Sequence, residues 1–145
     1  MLNTPMNPTG KIFSADELAF IAGLLQKHDC YAVCDEVYEH LVFDGKRHHS
    51  ALQLSALRRR SFVLFSFGKT FSVTGWKTGY CVAPPALTTE LRKVHQFVCF
   101  VAVTPVQYAL ADFMVAQPDY PATLPEFYQR KRDLFCRALE SSRFS

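Results

Sequence analysis

Residues 66–80, SFGKTFSVTGWKTGY, follow the apolar run Phe62-Val63-Leu64-Phe65 and place one lysine, Lys69, just beyond it. A short apolar run bounded by Ser and Gly reads as a buried strand, and the strands of a parallel sheet carry ligand chemistry at their carboxyl ends. Lys69 occupies such an end. Taken alone it reads equally well as a solvated loop lysine, so its neighbours decide.

Upstream, Tyr31-Ala32-Val33-Cys34 is a second short apolar run, and it stops at the acidic pair Asp35-Glu36. That pattern predicts a strand with a carboxylate at its carboxyl end. Between the amino terminus and this run, Ser14 and Glu17 have capping-box spacing, and Leu18, Ile21, Leu24 and Leu25 recur at helical spacing. A helix over 15–28 follows. The opening MLNTPMNPTG reads as turn chemistry, with Pro5 and Pro8 fixing φ, Gly10 permitting a positive φ, and at most a strand remnant before Asn7. From 39 to 60 the pattern is aperiodic, with a turn at Asp44-Gly45 and a short helix within 50–57.

Downstream, residues 79–83 form a further apolar run closed by Pro84-Pro85. It follows 62–65 too closely for a helical crossover, so an antiparallel placement is at least as probable as a parallel one. Three helices are then expected. The first carries Leu87, Leu91, Val94 and Val98, and the second starts at Thr104-Pro105 with Thr104 as cap and ends at Pro118. The third runs from Leu124 or Pro125 towards Ser141.

Composition narrows the class. A chain of 145 residues, 49% hydrophobic and 20% charged, has the length and balance of a single globular domain. A net charge of +3, with Arg58-Arg59-Arg60 as the one strong basic run, argues against nucleic acid as a partner. No apolar run approaches the roughly 20 residues that span a bilayer, so no membrane partner is expected. Five cysteines without CxxC spacing read as reduced, buried thiols of a cytoplasmic protein, and the five histidines lack metal-site spacing, so no metal is assigned.

Asn7, Asp35 with Tyr38, and Ser66 with Lys69 thus stand at comparable strand ends. Singly, each has a plain structural explanation as a turn residue, a cap, a half-buried ring or a surface charge. Together they supply what a pyridoxal phosphate site requires. A primary amine near other cations and partly desolvated can form a Schiff base and later shuttle a proton, which suits Lys69. A carboxylate against the pyridine nitrogen keeps the ring an electron acceptor, which suits Asp35. An amide and a phenol can hold the ring's phenolic oxygen, which suits Asn7 and Tyr38, and Ser66 with Lys77 suits the phosphate.

These residues resemble the class I and II aminotransferases of the pyridoxal phosphate fold type I superfamily. The likeness rests on Asn7-Pro8-Thr9-Gly10, on Asp35-Glu36-Val37-Tyr38 and on the segment from Ser66 to Tyr80, and it extends over essentially the whole chain. It implies an α/β fold, part of a three-layer αβα large domain with a mostly parallel sheet and one antiparallel strand. Residues 1–120 then belong to the cofactor-binding large domain, and 121–145 begin the helix towards a small domain. By resemblance Lys69 carries the cofactor, Asp35 pairs with the ring nitrogen, Asn7 and Tyr38 contact the ring oxygen, and Ser66 and Lys77 bind phosphate. Aspartate-type members carry arginine where Lys77 stands, whereas lysine is common in the methionine, glutamine, kynurenine and aromatic branch.

The implied activity is transfer of an amino group from such an amino acid to a 2-oxo acid, by an enzyme that is a homodimer in its full-length form. A carbon-sulfur lyase on the same site, or a catalytically silent remnant, is the alternative. Family members are much longer, and the segments that cradle the phosphate and grip the substrate carboxylate have no counterpart here. The chain therefore reads as a fragment, expected to bind cofactor weakly and turn over little on its own.

Overall fold

The computed structural model describes residues 1–144. Four strands, β1 (Leu2–Asn3), β2 (Ala32–Asp35), β3 (Ser61–Ser66) and β4 (Gly79–Val82), form one sheet in the order β1-β2-β3-β4. The first three are parallel, and β4 runs antiparallel to β3, pairing Ser66 with Gly79 and Val63 with Val82. The two-residue β1 turns part of the expected turn segment into ladder, with Asn3 opposite Asp35. The turn resumes at Thr4 and closes through the Gly10 amide on the Met6 carbonyl at 2.7 Å, with Gly10 at φ 70°.

Helix α1 (Ala15–Lys27) starts at a complete capping box, in which the Ser14 hydroxyl accepts from the Glu17 amide while the Glu17 carboxylate accepts from the Ser14 amide. A 3₁₀ turn (Ala51–Gln53) and the short α2 (Ser55–Arg58) lie on the same side of the sheet. Leu18 and Ala22 from α1, Ala51 and Leu57, and Ala32, Cys34, Val63 and Phe65 from the strands form the core. Leu18, Cys34, Leu57 and Val63 are 2% exposed or less. Burial of each aliphatic side chain among them contributes about 1.5–3 kcal/mol.

Strand alternation then sorts the remaining residues. With Cys34 and Val63 in the core, the register puts Asn3, Asp35 and Leu64 on the opposite face of adjacent strands, and Ser66 two residues beyond Leu64 shares it. That face is open, with Val33 38% exposed. On this side α4 (Pro85–Val98) contributes Leu91 and His95 to a cleft of about 630 Å³ shared with Leu64 and Cys81.

Helix α3 (Phe67–Thr70) holds Lys69, and a 3₁₀ turn (Thr74–Trp76) leads to Lys77. Two later helices, α5 (Thr104–Ala116) and α6 (Tyr120–Leu139), complete the chain. The cap of α5 is Val103 rather than Thr104, and Thr104-Pro105 lies within the first turn, where the missing proline N–H costs nothing. Helix α6 begins before the expected Leu124 or Pro125. Pro121 occupies its first turn, and Pro125 sits one turn further in, depriving the Pro121 carbonyl of its helical donor.

The expectation of buried thiols holds for Cys34, whereas Cys81 is half-buried and Cys30, Cys99 and Cys136 are exposed. Cys30 sits in the turn after α1, and Cys99 and Cys136 lie at or within helices that leave Phe97, Phe100 and Phe135 exposed as well. All five thiols are free. Among the described residues, no helix is long and apolar enough to cross a membrane.

Candidate active site

The residues singled out by sequence lie at or just beyond the carboxyl ends of the parallel strands. Asp35 ends β2, and its side chain accepts the Val37 amide at 3.3 Å, which starts a tight turn. Two further bonds, Glu39 amide to Glu36 carbonyl at 3.0 Å and Leu41 amide to Tyr38 carbonyl at 2.8 Å, fix the backbone on either side of Tyr38. Asn7 Nδ2 donates to Tyr38 Oη at 3.2 Å, which leaves the phenolic proton free for a ligand. Lys69 Nζ stands 5.3 Å from the centroid of the Tyr38 ring. Asn7, Tyr38 and Lys69 are thereby brought together from three separate segments.

Ser66, Lys69 and Lys77 line one cleft of about 350 Å³ with Gly68, Thr74, Thr78 and Gly79. No carboxylate is among these lining residues. Thr74 donates its hydroxyl proton to the Gly68 carbonyl at 3.0 Å, and Thr78 donates to the Trp76 carbonyl at 3.1 Å. Ser66 Oγ and the two ammonium groups remain, and among the described residues neither lysine is in an ion pair. An acid-free cleft with two uncommitted cations fits a phosphate monoester. Lys77 holds a left-handed backbone (φ 55°, ψ 37°), a conformation that costs a residue with a side chain on the order of 1–2 kcal/mol.

Gly79 brings β4 unusually close to β3. A Cβ there would lie 2.4 Å from the Phe65 carbonyl oxygen, so the ladder that aligns Ser66 with the Lys77 turn depends on its absence. Asp35 does not line the lysine cleft and lies between Asn3 of β1 and Leu64 of β3. Its backbone carbonyl accepts both the Thr4 amide at 3.0 Å and Asn3 Nδ2 at 3.1 Å.

Two contributors escaped the sequence reading. Asn3 bridges Asp35 and Asn7, since its Oδ1 also accepts the Asn7 amide at 2.9 Å. The recurrence of asparagine four residues apart in NTPMN was the available signal. Glu36 was visible as half of an acidic pair, but it is fully buried and meets His48 Nε2 at 2.9 Å and the Ala51 amide at 2.7 Å. An aperiodic connection separates these partners, so spacing carries no trace of the contact.

Titration behaviour follows from this buried carboxylate and from desolvation. Burial, with the neighbouring Glu36 charge second and His48 opposing, pushes the Glu39 carboxyl up to about 7. Burial, then His48, holds the His40 imidazole below its usual range. The Tyr80 phenol is raised by burial first and by Glu39 and Glu36 after it. Burial also raises the Cys34 thiol, against the opposing effect of its hydrogen bond to Ser61 Oγ.

Comparison with known proteins decides the family. The model for "Aminotransferase class I and II" matches residues 1–145. The chain belongs to the class I and II aminotransferases. Methionine aminotransferase of Escherichia coli is 44% identical over 143 residues, which cover 99% of this chain and 37% of that protein. Human kynurenine–oxoglutarate transaminase 1 is 41% identical over 97% of this chain and 35% of its own length. Among solved structures, an Escherichia coli protein reported to have a methionine aminotransferase function aligns with a TM-score of 0.93 over 98% of this chain and 38% of the other. The N-succinyldiaminopimelate aminotransferase of Mycobacterium tuberculosis aligns with a TM-score of 0.89 at 35% identity, over 95% of this chain and 36% of the other. This aminotransferase chain thus spans little more than a third of the relatives it matches, and its sheet is the corresponding part of their α/β fold.

Proposed function

We infer that this chain is the lysine-bearing part of an aminotransferase that uses pyridoxal 5'-phosphate to move an amino group from an amino acid to a 2-oxo acid. One observation carries the reading: Asn7, Tyr38 and Lys69 converge at the strand ends, beside an acid-free cleft that Lys69 shares with Ser66 and Lys77. When bound, the cofactor supplies an electron-accepting ring that stabilises negative charge at the substrate α-carbon. Lys69 Nζ would hold it and, as a free amine, would take the substrate α-proton and give it back. Asp35 would serve as hydrogen-bond acceptor for the ring nitrogen, and Asn7 Nδ2 and Tyr38 Oη would be the donors for the ring oxygen. Ser66 and Lys77 hold the phosphate.

The methionine and kynurenine aminotransferase relatives, together with lysine at position 77, support amino donors of that kind. The test is borohydride reduction of the chain with pyridoxal phosphate, followed by peptide mapping. The label is expected on the peptide containing Lys69 and is expected to vanish in Lys69→Ala. A folded sample that takes no label at Lys69 refutes the assignment. Product analysis of the longer form separates transamination, which yields a 2-oxo acid and aminated cofactor, from elimination, which yields pyruvate and ammonia.

A further inference from the structure

The segment carrying Tyr38 leaves the sheet after Asp35 and reaches the 3₁₀ turn at Ala51 without a regular element in between. Irregular excursions of this length hold one conformation when something closes them. Here one side chain ties the two ends together, while Asp44 in the middle is held by Arg132 and Gln129 of α6. Glu36 is completely buried and anchored by its own amide on the Leu64 carbonyl at 2.9 Å. One oxygen of its carboxylate accepts the Ala51 amide at 2.7 Å, and the other meets His48 Nε2 at 2.9 Å. The start and the end of the excursion are thus tied to the same carboxylate.

His48 is nearly as deep, with 9% of its side chain exposed. Its Nδ1 is buried with no hydrogen-bond partner among the described residues. An orphaned ring nitrogen is tolerated better as a bare acceptor than as a buried N–H, so the geometry selects the tautomer in which Nε2 carries the proton and donates to Glu36. The imidazole then has one hydrogen-bonding task, which is to orient the carboxylate. Neither residue touches the Lys69 cleft, and neither is needed for the roles assigned above.

We propose that Glu36 and His48 are positioning residues for Tyr38: together they close the 37–50 excursion and so hold the phenol against Asn7 and Lys69. The backbone supplies the link. The Glu39 amide bonds to the Glu36 carbonyl, and Tyr38 lies between them, so a freed carboxylate loosens the turn from which the ring projects.

The functional part of this inference rests on the cofactor reading of Tyr38, and the experiment separates the two. Glu36→Gln keeps an oxygen for the Ala51 amide while replacing the one that faces His48, so the variant remains foldable. His48→Gln is the partner variant. In both, hydrogen exchange of the Leu41 and Ala51 amides is expected to quicken about tenfold, with the Ala32 amide in the sheet unchanged, and the Asn7–Tyr38 contact seen by NMR is expected to weaken. Unchanged exchange in 38–51, or a loss spread evenly over the sheet, overturns the proposal.

Binding supplies the second readout. Glu36→Gln is expected to weaken pyridoxal phosphate about fivefold, and by less than about twofold the analogue that lacks the ring hydroxyl or the same variant made in Tyr38→Phe. Equal losses for both ligands, or full additivity with Tyr38→Phe, overturn it. If Tyr38→Phe alone leaves pyridoxal phosphate affinity intact, the cofactor role of Tyr38 fails, and the exchange and NMR results alone decide whether Glu36 and His48 hold the phenol.

Discussion

Replacing Gly79 by alanine gives the sharpest test of how the lysine cleft is built. The added Cβ would stand 2.4 Å from the Phe65 carbonyl oxygen and 3.4 Å from the Ser66 Cα. Both neighbours are backbone, so no side chain can swing away. Reaching even a tight contact of about 3.0 Å requires roughly 0.6 Å of relative strand movement, and β4 must yield, because three of its four residues are exposed while β3 is locked into the core. Overpacking of this kind costs about 1–3 kcal/mol. With a urea m-value of about 2 kcal/mol/M, the midpoint should fall by about 1 M.

Gly23→Ala is the matched control. It lies inside α1 with nothing within 4 Å of the added carbon, and the higher helix propensity of alanine should stabilise the chain by about 0.5–1 kcal/mol. Because Gly79 pairs with Ser66, Gly79→Ala should also weaken pyridoxal phosphate binding, whereas Gly23→Ala should not. A Gly79→Ala chain of unchanged midpoint, or equal destabilisation by the two variants, would refute the close-approach argument.

Three further outcomes are expected. Glu39 titrates near 7 in the folded chain against 4.5 unfolded, so its ionisation opposes folding. Its penalty is absent below about pH 4.5, grows as pH rises and is complete above about pH 7, at no more than roughly 3 kcal/mol, and Glu39→Gln should flatten urea midpoints measured across that window. Lys77→Gly should relieve the left-handed backbone and raise stability by about 1 kcal/mol while lowering affinity for pyridoxal phosphate, a split visible by pairing denaturation with ligand titration. Leu57→Ala, at a fully buried core position within α2, should cost about 2–5 kcal/mol by the same denaturation assay.

Much of this arrangement is legible in the sequence because it is written in local patterns. The runs 31–34 and 62–65 fall on β2 and β3, the capping box starts α1, and the short spacing before Gly79 accounts for the antiparallel β4. The alternation of β2 and β3 puts Asp35 and Ser66 on one face, and the segments that follow the strands carry Asn7, Tyr38 and Lys69. What the sequence hides is long-range or depends on what covers a surface. Glu36 finds His48 and Ala51 across an aperiodic excursion, and Asn3 joins Asp35 only once β1 and β2 have paired. Thiol exposure at Cys99 and Cys136 depends on neighbouring layers rather than on the apolar residues beside them. The start of α6 was misplaced because Pro121 and Pro125 are equally good opening residues by composition, and tertiary context chose the earlier one.

The antiparallel β4 also has a kinetic meaning. Ser66, Lys69 and Lys77 lie within a dozen residues of one another, and the β3–β4 ladder brings them to one cleft through local contacts. Asn7 and Tyr38 are 31 residues apart and meet through parallel pairing, which must close long loops first. The site should therefore assemble in two stages, with Ser66, Lys69 and Lys77 gathered by early local pairing and the phenol and amide arriving when the sheet is complete.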